Sequence, residues 1–141
     1  MQTLLHASCV AIDGVAVLLR GPSGSGKSDL ALRLIDCGAR LVADDQVALG
    51  TENGRLIARA PAALAGLLEV RGIGIVRIPP AESAPVVLII DLDQDGQIER
   101  LPELENIEFQ GVSVRRLILK PFEASAAAKV RVAVGHARHS L

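Results

Sequence analysis

Short apolar runs separated by polar breaks recur along the chain, and their spacing predicts more strands than helices. Strand-forming residues fill positions 4–12 and 15–19, and the Asp13-Gly14 pair between these runs is typical of a tight β-hairpin. A second hairpin is predicted where TENG separates 47–49 from 56–58. The first half of the chain therefore favours antiparallel pairs of strands.

The pattern changes to a helical period directly after residue 28. In SDLALRLIDCG, the side chains of Leu30, Ala31, Leu34 and Ile35 fall on one face of a helix, and Gly38 is a natural stop. Positions 40–43 then return to a short strand that two aspartates end. The sequence thus predicts strand, loop, helix and strand in succession.

The second half of the chain contains a buried strand and a further strand pair. The apolar run 86–92 is typical of a strand buried on both faces, and 107–109 and 112–119 form a predicted pair. Three further segments are less regular: we expect a short helix over 61–68, a strand edge or a loop over 70–78, and a helix or a frayed end over 121–141. The fold class predicted is α/β in one domain over 1–141, with a mixed sheet and antiparallel hairpins rather than a doubly wound sheet.

Composition narrows the function classes. The net charge is −1, which argues against nucleic acid or an anionic membrane as partner. The chain has two Phe, no Trp and no Tyr, which argues against the stacking of nucleic-acid bases. Enzymes and binding modules both remain open. The apolar runs are too short to span a bilayer, and the N-terminal residues do not resemble a signal peptide. Cys9 and Cys37 are interpreted as reduced core residues, so we expect a cytoplasmic protein.

The stretch GPSGSGKS carries the strongest chemical signal. It fits G-x-x-x-x-G-K-[ST], the phosphate-binding loop (P-loop), and it follows an apolar strand and opens a helix, as that motif requires. Backbone N–H groups can surround phosphate oxygens here, the lysine reaches the terminal phosphates, and the last serine ligates Mg²⁺. The predicted nucleotide-binding residues are Gly21, Pro22, Ser23, Gly24, Ser25, Gly26, Lys27 and Ser28.

Two acidic positions compete to serve the nucleotide. Asp91 ends the run VVLIID and fits either a metal-binding aspartate or a plain turn residue before DQDG. Asp44 and Asp45 end the run LVA. If both carboxylates faced one cavity, their mutual repulsion would favour protonation of one of them, which suits a group that transfers a proton. Either site, or a solvated turn, is compatible with the spacing alone.

Three further residues are candidates within apolar sequence. Glu69 and Arg71 lie in LLEVRGIGI, as either outward charges on an edge strand or a metal-binding carboxylate and a phosphate-facing cation. His6 lies in LLHAS, where a lone histidine is more often structural.

The order and spacing of His6, GPSGSGKS, RLVADDQV, RAP and LLEVRGIGI resemble those of HPr kinase/phosphorylase, over about residues 4–78. That bacterial family phosphorylates a serine of the phosphocarrier protein HPr and can reverse the reaction with inorganic phosphate. The resemblance implies a mixed sheet around the P-loop, similar to phosphoenolpyruvate carboxykinase, with ATP and Mg²⁺ as cofactors, HPr as partner, and a homo-oligomer, a hexamer, as the assembly.

The resemblance also implies roles for the candidate residues. It makes His6, Lys27 and Arg71 active-site residues. It makes the Asp44-Asp45 pair the acid/base, with Asp45 favoured by spacing. It makes Ser28 and Glu69 metal ligands. Longer family members have an N-terminal domain ahead of this one, so a short single-domain form of the alphaproteobacterial kind is expected. The region LKPFEASAAAKVRV lacks the family's Arg-Pro-Gly-Arg-Asn pattern, which favours the kinase activity over the phosphorylase activity.

Two other functions are open to a chain with this P-loop. A kinase for a small metabolite or nucleoside would need an Arg-rich lid, and no such segment is evident. A non-catalytic module that only binds nucleotide would need the P-loop alone.

Overall fold

The computed structural model describes residues 2–139 and consists of a curved mixed sheet with two helices on one face. The helices are α1 (Lys27–Asp36) and α2 (Ala126–His139). The strands are β1 (Thr3–His6), β2 (Ser8–Ile12), β3 (Val15–Arg20), β4 (Arg40–Ala43), β5 (Gln46–Glu52), β6 (Arg55–Arg59), β7 (Leu67–Val70), β8 (Gly74–Arg77), β9 (Ala84–Leu92), β10 (Glu105–Phe109) and β11 (Val112–Leu119).

The main sheet has the order β1-β5-β6-β9-β3-β2-β4, and β11 with its hairpin partner β10 also pairs with β9. Strands β3, β9 and β11 run parallel, whereas the other pairs are antiparallel. The predicted mixed α/β sheet with antiparallel hairpins is therefore confirmed. Because β3 and β9 are parallel neighbours, their carboxyl ends share one edge, and the P-loop begins at that edge.

The two ends of the strand order are joined by two short links. Ala7 is the single residue between β1 and β2, and Asp44-Asp45 are the two residues between β4 and β5. The backbone N–H of Ala7 donates to the carbonyl of Asp45 at 3.2 Å, so the links touch where they cross. We call this crossing the seam; it brings the paired aspartates beside the start of β2.

Buried side chains fill both faces of the sheet. Leu88 and Ile90 pack with Leu30 and Leu34 of α1 and with Val130 of α2, among other apolar residues. Ile89 points the other way, into a second apolar cluster. The run 86–92 is thus a strand buried on both faces, as predicted.

Two sequence predictions are wrong because strand pairing overrides the local pattern, whereas segment 70–78 agrees with the predicted strand edge or loop. The strand over 4–12 is two strands, because Ala7 lets β1 pair with β5 while β2 pairs with β3. The helix over 61–68 is wrong: only Ala62–Leu64 form a single 3-10 turn, and the apolar residues after Gly66 enter β7. Segment 70–78 contributes to the β7–β8 hairpin, a separate two-stranded sheet.

The tail prediction is resolved as helix over Ala126–His139, and its last two positions lie outside the described residues. The prediction that both cysteines are core residues is wrong for one of them: Cys9 is fully buried, but Cys37 is exposed at the C-cap of α1. Both thiols are free. No helix within residues 2–139 has the length and apolar character needed to cross a membrane.

Candidate active site

The P-loop joins β3 to α1 and is folded around its own lysine. Gly26 precedes the helix with φ of 96°, a left-handed conformation that glycine adopts without strain. The ammonium of Lys27 donates hydrogen bonds to the carbonyls of Gly21 (2.7 Å) and Pro22 (3.1 Å). The loop therefore has the closed shape in which successive N–H groups can surround an anion.

The electrostatics of Lys27 connect the loop to the acids. Burial lowers the pKa of the Lys27 ammonium, and the negative charges of Asp45 and Asp44 act in the opposite direction. An arriving phosphate would add negative charge next to this ammonium. Lys27 is thus positioned to exchange carbonyl partners for phosphate oxygens.

Asp44 is held inside the site by three donors. Its Oδ1 accepts from the hydroxyls of Ser28 (2.7 Å) and Ser8 (2.9 Å), and its Oδ2 accepts from the backbone N–H of Glu69 at 3.2 Å. These contacts bring together the P-loop, the start of β2 and the β7 strand. With its oxygens occupied, Asp44 is suited to orienting Ser28.

Asp45 faces outward and is paired with His6. Its Oδ1 lies 2.8 Å from Nε2 of His6, and its side chain is 72% exposed. The backbone φ of Asp45 is 67°, a left-handed conformation in which Asp is tolerated better than most residues. One carboxylate oxygen of Asp45 is therefore free of the histidine contact and open to a substrate hydroxyl.

The β7–β8 hairpin brings Glu69 into contact with Asp44, and Arg71 makes no such contact among the described residues. Glu69 is exposed, and its backbone contact with Asp44 fixes where its residue lies. Arg71 lies in the exposed hairpin turn, and among the described residues no hydrogen bond or ion pair joins it to the P-loop or to the aspartates. A role for Arg71 would require a partner outside these contacts.

Asp91 belongs to a different ionic cluster. It lies within β9, and its two carboxylate oxygens accept from Arg20 (2.8 and 2.9 Å) and from Arg116. The pKa of Asp91 is lowered: burial acts to raise it, but the hydrogen bonds and charges of the two arginines outweigh burial. Asp91 is thus a strand residue rather than a turn residue, and the hydrogen bonds of its carboxylate go to the two arginines and not to Ser28.

Sequence reasoning missed Ser8 as a member of the site. Ser8 is fully buried at the start of an apolar strand, and its hydroxyl donates to Asp44. A buried hydroxyl needs a partner, so the serine in LLHASCVAI was the available signal. Its partner is 36 positions away in sequence, and that distance hides the pairing.

The oxygen donors around Ser28 fit Mg²⁺ bound together with a nucleotide. A serine hydroxyl and nearby carboxylates are the hard ligands that this ion prefers, and Mg²⁺ usually takes one or two protein carboxylates plus substrate phosphates. Within residues 2–139, no group of three or more His, Cys, Asp and Glu side chains is arranged to hold a metal ion alone. The donor set therefore fits an ion that arrives with phosphates.

The sequence is similar to known proteins over most of its length. The sequence family described as HPr Serine kinase C-terminal domain matches residues 1–137. The chain is 40% identical over 129 residues to an HPr kinase/phosphorylase of Clostridium tetani and 35% identical over 127 residues to one of Clostridium beijerinckii, covering 84% and 82% of this chain. The chain spans 42% of the length of each of these relatives.

A solved structure shares the whole fold. The Hpr(Ser) kinase/phosphatase from Coxiella burnetii superposes with a TM-score of 0.86 at 28% identity, over 98% of this chain and 97% of that one. The family profile covers almost the whole of this chain, including the P-loop and the aspartate that binds its serine. The chain belongs to the HPr serine kinase C-terminal domain family.

Proposed function

We propose that this chain transfers the γ-phosphoryl group of ATP to a serine of the phosphocarrier protein HPr and catalyses the reverse phosphorolysis of phosphoseryl-HPr. The carrying observation is the pair of adjacent aspartates at the P-loop: Asp44 binds Ser28, while Asp45 points outward with His6. The relatives named above as HPr kinase/phosphorylase support the identity of the protein substrate.

In the forward reaction, Asp45 accepts the proton of the serine hydroxyl. The serine oxygen forms a bond to the γ-phosphorus as the bond to the bridging oxygen of ADP breaks, and the proton moves to the carboxylate oxygen that His6 does not hold. The hydrogen bond from His6 fixes the rotamer of Asp45. In-line transfer needs little more from the protein than this positioning and charge neutralisation.

In the reverse reaction, the same groups exchange roles. Inorganic phosphate attacks the phosphorus of phosphoserine, the serine oxygen leaves, and protonated Asp45 returns a proton to it, which yields serine and pyrophosphate. Lys27 and the backbone N–H groups of residues 23–28 would hold the attacking phosphate. The same site geometry serves both directions.

Mg²⁺, when bound with ATP, neutralises phosphate charge at the site. In this proposal, Ser28 and Glu69 hold the ion, Asp44 orients the Ser28 hydroxyl, and Lys27 contacts the terminal phosphates. The negative charge of Asp45 acts on the Lys27 ammonium, so the two groups are close enough to serve the same phosphoryl group.

The decisive experiment follows radiolabel from [γ-³²P]ATP to purified HPr, with and without inorganic phosphate. We expect label on serine in wild-type HPr and none on HPr whose acceptor serine is replaced by alanine. Added phosphate should remove that label as pyrophosphate. The Lys27→Ala variant should transfer none. Label on small molecules alone would favour a metabolite kinase, and nucleotide binding without transfer would favour a regulatory module.

The proposal includes a cytoplasmic setting, which free thiols suit. The homo-oligomer and the hexamer remain predictions from the resemblance, which light scattering on the purified chain would measure.

A further inference from the structure

Phe122 is an exposed aromatic ring in direct contact with the P-loop. The ring is 57% exposed, and a Cβ added to Gly26 would lie 2.9 Å from its Cζ. The chain has one other phenylalanine, Phe109, whose ring lies 5.7 Å from the guanidinium carbon of Arg20. An apolar ring open to solvent therefore stands against the glycine that opens α1.

The loop that carries Phe122 is fastened to α1 on both sides of the ring. Arg33 donates to the carbonyl of Pro121 and, at 3.4 Å, to that of Glu123. Arg33 is itself paired with Asp29 one helical turn earlier, and Pro121 is buried. The ring is thus exposed on an anchored loop.

The order of the strands places Phe122 and the paired aspartates on opposite sides of β3. The Asp44-Asp45 link follows β4, which lies on one side of β3, while β9 and β11 lie on the other side. Phe122 follows β11, whose carboxyl end shares an edge with those of β3 and β9 because the three strands are parallel. A triphosphate that ran from Asp45 along the P-loop and past Gly26 would place its base on the side where Phe122 lies.

The cleft beside the P-loop is a poorer base site. This cleft of about 550 Å³ has both apolar and polar lining, and its polar groups include Arg20, Asp91, Asp93 and Arg116. The arginines are already paired with Asp91. No aromatic side chain lines the cleft, so stacking of a base is available at Phe122 instead.

We propose that Phe122 is the platform on which the purine base of the bound nucleoside triphosphate stacks. This inference rests on the proposed function, since it concerns the nucleotide of the same site. Stacking on a ring face tolerates any purine, so the platform should bind ATP and GTP similarly. The lone ring differs from the multiple platforms that nucleic-acid binding requires.

The test compares dissociation constants of Mg-ATP and Mg-tripolyphosphate, which shares the phosphates but lacks a base, by calorimetry on the 141-residue chain. We expect Phe122→Ala to weaken ATP binding about tenfold or more, as base stacking elsewhere predicts, and to leave tripolyphosphate binding within about twofold. Phe122→Leu should behave like Phe122→Ala, whereas Phe122→Tyr should retain affinity. Val132→Ala, at an exposed apolar position of α2, is the matched control and should change neither ligand.

A second measurement uses Phe122→Trp, which would introduce the sole tryptophan of the chain. ATP should quench its fluorescence and tripolyphosphate should not. The platform would be overturned if Phe122→Leu retained ATP affinity, or if Phe122→Ala left ATP affinity unchanged or weakened ATP and tripolyphosphate equally. A change confined to the KM for HPr would also overturn it. Failure of the wild-type chain to bind tripolyphosphate would instead overturn the P-loop function, and the platform with it.

Discussion

At the scale of single residues, Asp44 and Asp45 are neighbours in sequence with different surroundings. Asp44 accepts three hydrogen bonds from three parts of the chain, whereas Asp45 meets His6 and solvent. Both carboxylate oxygens of Asp44 are already engaged by donors, whereas one oxygen of Asp45 is open to a substrate hydroxyl. The structure thus gives a physical reason to assign proton transfer to Asp45.

The Asp45→Asn variant tests this assignment. Asn tolerates the left-handed backbone of this position and keeps a side-chain oxygen for His6, but it accepts no proton. We expect kcat for HPr phosphorylation to fall by about 10²-fold or more with ATP affinity nearly unchanged. Asp36→Asn, at an exposed position late in α1, should retain full activity. An active Asp45→Asn variant would contradict the assignment.

Asp91 is predicted to support stability rather than catalysis. Its pKa is lowered in the folded state, so its contribution is present above the unfolded pKa of about 3.9 and is lost as the pH falls through the lower folded pKa. We expect Asp91→Asn to reduce the free energy of unfolding by about 2 kcal/mol at pH 7, because two arginines lose a charged acceptor.

Urea unfolding of wild type and Asp91→Asn across pH 2–8 provides the measurement. The two curves should converge as the wild-type carboxylate becomes protonated on acidification. Phosphoryl transfer by the variant should persist wherever it remains folded. Loss of transfer in a fully folded Asp91→Asn chain would return Asp91 to the active site.

At the scale of elements, the β7–β8 hairpin is a separate part of the fold that reaches the site through β7. The backbone N–H of Ile78 donates to the carbonyl of Gly66 at 2.7 Å, which closes the base of the hairpin. Glu69 then contacts Asp44 from within β7. The position of this metal-ligand candidate therefore depends on how the hairpin is anchored.

Two glycine substitutions separate anchoring from backbone strain. Gly66 has φ of 77°, and an added Cβ would lie 2.9 Å from the carbonyl oxygen of Ile78, whereas Gly72 has φ of 90° with open space around it. We expect Gly72→Ala to cost about 1 kcal/mol and Gly66→Ala distinctly more, with reduced phosphoryl transfer in the second alone. Chemical denaturation and the HPr assay measure both. Equal effects of the two substitutions would contradict the anchoring role.

Elements encoded by neighbouring residues could be predicted from sequence. Asp13-Gly14 and Asn53-Gly54 all have positive φ, from 50° to 84°, which is the local signature of a tight hairpin turn. The segment PAALAGLL looked helical, but pairing of β7 with β8 decides its conformation. The P-loop motif is likewise local, whereas the contact between Ser8 and Asp44 joins distant positions and could not be found from spacing.

At the scale of the whole molecule, the two thiols report on different regions. Cys9 is fully buried between sheet strands, and burial raises the pKa of its thiol well above the ordinary range. Cys37 is exposed at the end of α1. Since the thiolate is the reactive form, accessibility and protonation both protect Cys9.

Thiol labelling of the native chain with iodoacetamide should therefore modify Cys37 first. We expect one fast modification under native conditions and a second, at Cys9, at a rate limited by opening of the sheet. Intact-mass spectrometry over time with peptide mapping resolves the two. Cys37→Ser should abolish the fast event; fast labelling of Cys9 in that variant would show that the sheet opens far more readily than its packing indicates.

The seam has a consequence for how firmly Asp45, the proposed proton acceptor, is held. Asp45 belongs to a two-residue connection, yet β4 and β5 fix that connection at its ends and Ala7 holds it from a crossing one. A conventional loop can move while the body of a protein stays intact. Here the backbone of Asp45 is held by two strands and by the Ala7 hydrogen bond, so displacement of this residue requires the adjoining ends of β4 or β5 to loosen as well.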